Sequence, residues 1–128
     1  MEPLMLTTSR PISLNNAYAN DPRGGRYTTK AAANWKTCEG WNIAHQLAQA
    51  GLHRRPLFTG GISVSIDIER IALKKGGWKR EDIDGKAKLL LDVLTDLRVW
   101  NDDSQVSELH MRWAPVSGCR VTISELAE

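Results

Sequence analysis

The strongest pattern along the chain is the alternation from Gly61 to Leu73. Ile62, Val64, Ile66 and Ile68 fall on one side of an extended chain, and Ser63, Ser65, Asp67 and Glu69 on the other. A period of two predicts a half-buried strand. Met1 to Thr8 reads as a short first strand, with Pro3 near its start. Val106 to Trp113 and Arg120 to Leu126 read as two closing strands joined by a turn around Pro115 to Gly118. Two other stretches follow the helical period. From about Lys30 to Ala50, Ala31, Trp35, Cys38, Trp41, Ile43, Ala44, Leu47 and Ala48 form a broad stripe. Thr28 or Thr29 can cap its start, Gly51 suits its end, and Gly40 weakens its middle. From about Asp84 to Leu97, Ala87, Leu90, Leu91, Leu94 and Leu97 follow the i, i+3, i+4, i+7 rule and face the core. Trp35, Trp41 and Trp100 are expected in that core. The predicted order is β-α-β-α-β-β. This is an α+β domain, a small sheet with two helices packed on it.

Between these elements lie two loops of interest. Residues 9–30 carry Pro11, Asn15, Asn16, Asn20, Pro22, Gly24 and Gly25, which punctuate structure. A loop of that length in a compact domain is often functional. It also carries Arg10, Arg23, Arg26 and Lys30 against the single acid Asp21. Residues 74–80 form the second loop, with Gly76 and Gly77.

At 128 residues the chain has room for one domain, spanning 1–128. Its 41% hydrophobic and 25% charged residues are ordinary for a globular protein and exclude a collagen-like or disordered chain. No stretch approaches the ~20 apolar residues of a spanning helix, so no membrane partner is expected. The first residues lack a basic segment followed by an apolar core, so no secretory leader is expected. Cys38 and Cys119 form no CxxC pair, which points away from a disulfide or a cysteine zinc site and toward a reducing, cytoplasmic setting. His45, His53 and His110 share no motif and read as ordinary surface or core residues.

The 17 basic and 15 acidic residues nearly cancel, but their distribution does not. Residues 1–64 carry 7 basic and 3 acidic side chains, a net of +4. Residues 65–128 carry 10 and 12, a net of −2, with the signs in blocks. Arg70, Lys74, Lys75, Lys79 and Arg80 come without an intervening acid, and Glu81, Asp82 and Asp84 follow at once. A basic run alone is usually a solvated face. A basic run directly beside an acidic cluster suits a protein that attracts a polyanion and holds a cation touching it.

Asp82 and Asp84 are two apart, so both carboxylates can converge in an extended lead-in to the second helix. Asp84, Lys88 and Asp92 are spaced i, i+4, i+8 on one stripe beside the leucine face. Asp102 and Asp103 follow the helix's far end and reach its entrance only if the chain doubles back. Hard cations such as Mg²⁺ take one or two carboxylates plus water and substrate phosphate. Three carboxylates and one amine make a workable set for phosphodiester hydrolysis. The same residues also fit a plainer reading. Asp84 then caps the helix, Asp84 and Lys88 form a routine ion pair, and Asp102-Asp103 is a turn.

The segment Asp82-Ile83-Asp84-Gly85-Lys86-Ala87-Lys88, then Asp92, then Trp100-Asn101-Asp102-Asp103-Ser104-Gln105-Val106, resembles the RusA family of Holliday junction resolvases. That family has a D-x-D-N motif, a Lys four residues beyond the second Asp, and a W-x-D-D-x-Q-V stretch. Pro11-Ile12-Ser13-Leu14-Asn15 resembles its P-x-S-x-N signature. The resemblance covers about residues 5–125, and one departure stands out: Gly85 replaces the motif's Asn. It implies a small homodimeric α/β nuclease of phage or prophage origin, working in a bacterial cytoplasm. Such a protein binds four-way DNA junctions and makes paired symmetric nicks with Mg²⁺ or Mn²⁺ in recombination and repair. Carried over by position, Asp82, Asp84 and Asp103 are the metal carboxylates and Lys88 the catalytic amine. Asp92 matches a family acid with a structural role.

On this reading Arg10, Arg23, Arg26, Lys30, Lys74, Lys75, Lys79 and Arg80 are the expected phosphate contacts. Trp78, among lysines and glycines, is placed to stack on a base or wedge into a junction. Two other functions use part of the pattern. A non-catalytic, structure-selective DNA-binding protein needs the basic residues but not the acids. A hydrolase of small phosphoesters needs the acids but not the flanking basic surface.

Overall fold

A computed structural model describes residues 2–13, 18–20, 22 and 26–127. Strand β1 covers Leu4–Thr8 and helix α1 Lys30–Gln49. Between them, the long loop contains a small hairpin, β2 (Tyr18–Asn20) and β3 (Arg26–Thr28), which the sequence pattern did not predict. Strand β4 is Ile62–Glu69 and helix α2 is Lys88–Asp96. Strands β5 (Val106–Ala114) and β6 (Cys119–Glu125) close the chain. The order β-α-β-α-β-β holds for the main layers, with the hairpin added, and the class is α+β.

The main sheet has the order β1-β6-β4-β5. β4 and β5 are parallel, and the other pairs are antiparallel. A parallel pair needs a crossover, and the segment containing α2 supplies it. The alternation in β4 is realised as expected. Ile62, Val64, Ile66 and Ile68 are fully buried against the helical layer. Val121 and Ile123 of β6, with Leu6 of β1, extend the same apolar surface. From α1 come Ala32, Trp35, Ile43 and Leu47, and from α2 Leu89, Leu90, Val93 and Leu94. Trp100 and Phe58, joined by a parallel bridge, fill the end of the core near the start of β4.

Thr29 caps α1, its side chain accepting from the Ala32 N–H. Side chains of the helix also satisfy one position on the free edge of β1, Thr7. Gln46 Oε1 accepts from the Thr7 N–H at 3.0 Å, and Gln46 Nε2 and Asn42 Nδ2 donate to the Thr7 carbonyl at 2.7 and 2.9 Å. Trp41 corrects an expectation: it is 76% exposed. The buried arc is narrower than the apolar stripe, because only the side containing Ala32, Trp35, Ile43 and Leu47 is buried.

The sheet's other face is polar. Asp67 of β4 stands opposite Arg112 of β5 and Arg120 of β6. Arg112 Nε donates to Asp67 Oδ1 at 2.7 Å, and Arg120 Nη2 to Oδ2 at 2.8 Å. The Arg112 hydrogen bond, aided by Arg120, outweighs burial and holds the Asp67 carboxyl below the usual aspartate range. No helix among the described residues is long and apolar enough to cross a membrane.

One turn fixes the end of β4 that matters below. Glu69 exchanges backbone and side-chain hydrogen bonds with Gly118. Gly118 has φ +70, and a Cβ there would lie 2.3 Å from the Thr8 carbonyl oxygen. Both the left-handed backbone and that backbone contact exclude a side chain. Gly118→Ala is therefore expected to cost more than about 1 kcal/mol, read as a lower urea midpoint with unchanged slope.

Candidate active site

The candidate site is built where β4 ends. The chain leaves Glu69 and forms a small loop closed by the Ala72–Trp78 bridge. Gly76 and Gly77, at φ +93 and +78, turn it, and Lys74 and Lys75 sit exposed beside them. The return strand delivers Lys79, Arg80, Glu81 and Asp82. These residues, with Ser13, Arg70 and Gly85, line an open cavity of about 560 Å³.

Glu81 anchors this segment. Its carboxylate takes Arg10 Nη2 on one oxygen and Lys86 Nζ on the other, each at 2.6 Å. Arg10 Nε also donates to the Glu69 carbonyl at 2.8 Å, which ties the clasp to the end of β4. Lys86 is only 3% exposed. Burial pushes the Glu81 carboxyl up, but the Lys86 and Arg10 hydrogen bonds and charges outweigh it, and it lies below the usual glutamate range. Lys86 sits within an irregular helix entrance. The single helix expected from Asp84 to Leu97 is a 3-10 turn at Asp84–Lys86, a junction at Ala87, and α2 from Lys88.

Asp82 and Asp84 are both exposed, on either side of half-buried Ile83. Lys88 Nζ pairs with Asp92 Oδ1 at 2.8 Å, so this amine is held on the helix surface by the acid one turn onward. Asp103 lies elsewhere. It opens a 3-10 turn, Asp103–Gln105, capped by Asp102, whose side chain accepts from the Ser104 N–H at 3.2 Å. That donor holds the Asp102 carboxyl below the usual aspartate range. Gln105 Oε1 accepts from Asn101 and Asp102 N–H, and its Nε2 donates to the carbonyls of Phe58 and Gly60. The turn is thus fastened to the segment entering β4.

Asp82 and Asp84 therefore lie beyond the exit of β4, and Asp103 beside its entrance. The strand between them spans roughly 23 Å at 3.3 Å per residue. Among the described residues no three His, Cys, Asp or Glu side chains gather in a way that could hold a metal ion. Within one copy of the chain, Asp103 does not join the other two carboxylates.

The basic residues divide in the same manner. Lys74, Lys75, Lys79 and Arg80 are exposed around the cavity end. Lys30 is exposed at the start of α1. Arg10, expected on phosphate, is committed to Glu81 and Glu69 inside the protein. Arg23 lies outside the described residues. Arg26 is described only as part of β3. Three roles are visible only in the structure: Glu81 as an anchor, Lys86 as its buried partner, and Arg70 as a wall of the cavity. Their sequence signal is the order of charges, Arg70 opening the basic run and Glu81 and Lys86 following it.

The molecule is thus a small α+β protein in which the cavity beyond β4 sets an exposed carboxylate among cations, an arrangement suited to a phosphodiester. The profile of the endodeoxyribonuclease RusA family matches residues 9–124, nearly the full 128. The chain belongs to the RusA family of Holliday junction resolvases, whose activity is that of an endodeoxyribonuclease. A search of curated proteins found no match to it.

Proposed function

We propose that the protein is a metal-dependent resolvase that cuts four-way DNA junctions by paired symmetric nicks, acting in recombination and repair as a homodimer. The observation that carries this reading is the cavity where Asp82 faces Arg70, Lys79 and Arg80. Carboxylates repel phosphate unless a cation lies between them, so this mixture fits a phosphodiester bound through a divalent ion.

Asp82 and Asp84 fit Mg²⁺ or Mn²⁺. Both are exposed, hard oxygen donors, and Mg²⁺ keeps water and takes substrate phosphate beside one or two carboxylates. Such an ion, when bound, lowers the pKa of water and neutralises charge on a phosphoryl oxygen. Lys79 and Arg80 bind the phosphates flanking the scissile bond. Lys88, oriented by Asp92, directs its ammonium at the non-bridging oxygens as negative charge develops on them. The products carry 5′-phosphate and 3′-hydroxyl ends.

Asp103 enters this site from a second copy. β5 ends the main sheet, and no strand of the described residues pairs with its outer edge. Antiparallel pairing of that edge with its copy about a two-fold axis would carry Asp103 of the partner subunit toward the end where Asp82 and Asp84 lie. A four-way junction is itself two-fold, and two nicks need two sites, which favours a closed C₂ dimer.

The test uses labelled four-way junction, linear duplex and a small phosphodiester, each with Mg²⁺ or EDTA. Paired nicks in the junction alone, lost with EDTA, are the expected result. Binding without cutting would favour a structure-selective DNA-binding protein, and turnover of the small ester alone a phosphoesterase. Junction affinity is expected to fall steeply with salt, the log–log slope being about −0.9 per neutralised phosphate. A flat profile would remove the basic cavity rim from DNA binding.

A further inference from the structure

Arg70 belongs to two cavities. One holds Asp82, and the other, of about 520 Å³, is lined by Glu69, Trp78, Trp113, Ala114, Pro115 and Val116. In the second cavity the Arg70 guanidinium lies 5.4 Å from the Trp78 ring and 5.7 Å from the Trp113 ring. Trp78 is 51% exposed, on a loop that also carries exposed Leu73 and the cations Lys74, Lys75, Lys79 and Arg80. A large indole left half in water beside a cavity is a feature that core packing does not explain. Trp113 is half-buried near the end of β5, beside Ile68 and packed against the core, and its ring forms a second wall.

Resting on the nuclease reading above, we propose that this cleft receives one unstacked nucleobase from the bound DNA branch point. Its volume falls in the usual range for small-ligand clefts. Trp78 supplies a half-exposed indole with Arg70 over one side of its ring, and Arg70 is a planar cation that itself stacks on bases and bonds phosphate. The cations Lys74, Lys75, Lys79 and Arg80 select an anionic chain over an apolar peptide. The strand entering this cleft passes Arg70 into the cavity that holds Asp82. The stacked base therefore fixes which phosphate stands beside the carboxylates. Bases within a duplex arm are stacked on both sides and must be pulled out at a cost, whereas a base at the branch point is already poorly stacked. The cleft thus discriminates branched from linear DNA through stacking, independently of cutting.

The test is equilibrium binding in EDTA, so that cleavage plays no part. Fluorescence anisotropy is measured with an intact four-way junction, with one bearing abasic residues at its branch-point nucleotides, and with one bearing them mid-arm. Wild-type protein is expected to bind the branch-point abasic junction about tenfold more weakly than the other two. Trp78→Ala is expected to lose a similar factor on the intact junction and nothing further on the abasic one. Trp78→Phe should recover most of the loss, and melting curves report whether each variant folds. Equal loss in wild type and Trp78→Ala on removing the bases, or no loss in either, would overturn the cleft assignment while leaving the nuclease reading intact. Failure of wild-type protein to bind any junction would instead remove that reading, and this inference with it.

Discussion

Replacing Asp84 by Asn is expected to abolish junction nicking while leaving junction binding in place. The change removes one negative charge and one hard oxygen donor without altering side-chain size. Losing a group that stabilises charge in the transition state lowers rates by about 100-fold to 1000-fold. Asp84 is exposed at the first position of a 3-10 turn with no side-chain cap bond, so the fold does not depend on its charge. Binding should hold or tighten slightly, because an anion beside phosphate is removed. Gel-shift and nicking assays on the same preparation read both quantities. Cutting at the wild-type rate would take Asp84 out of the chemistry.

The second large effect is expected at Glu81. Glu81→Gln keeps the shape but leaves the Lys86 ammonium buried without its anion, and frees Arg10 from its clasp. Removing one partner of a buried pair costs about 3 kcal/mol. For a chain of this size that lowers the melting temperature by about 10 °C. Because Glu81 adjoins Asp82, nicking should also weaken at temperatures where the variant is still folded. The effect depends on pH in a defined direction. The folded Glu81 carboxyl is held below its unfolded value, so its stabilisation is complete above the ordinary glutamate range of about pH 4. It fades as pH falls through the depressed folded value. Wild type and variant should therefore differ most near neutrality and converge in acid, as urea midpoints at several pH values would show.

Much of the scaffold was legible because short-range periodicity decides it. The alternation in β4 survives intact, since burial on one face of a sheet forbids a register slip. The Thr29 cap and the α1 span follow from local hydrogen bonding. The leucine face of α2 was legible in part. Leu90 and Leu94 are fully buried, but so are Leu89 and Val93, while Leu91 and Leu97 are only partly covered. The helix packs against α1 as well as the sheet, which widens its buried arc beyond one stripe. Trp41 failed in the opposite sense: an apolar residue on a helix says nothing of which neighbours the helix meets.

The site was legible as chemistry but not as placement. Asp82, Asp84 and the basic run lie together because they are adjacent in sequence. Arg10 and Glu81 meet across 71 positions, and no local pattern announces that contact. Lys86 reads as one more surface lysine until its burial is seen. The position of Asp103 is set by the parallel pairing of β4 and β5 together with the Gln105 hydrogen bonds to Phe58 and Gly60. Sheet order of this kind has no short-range signature.

The most direct measurement is a mixed pair. Subunits carrying Asp84→Asn and subunits carrying Asp103→Asn are co-expressed with different tags, and the hybrid is purified on both. If each site draws Asp82 and Asp84 from one subunit and Asp103 from the other, the hybrid contains one complete site and regains a single nick per junction, while each variant alone cuts nothing. A hybrid as inactive as its parents would contradict the shared site.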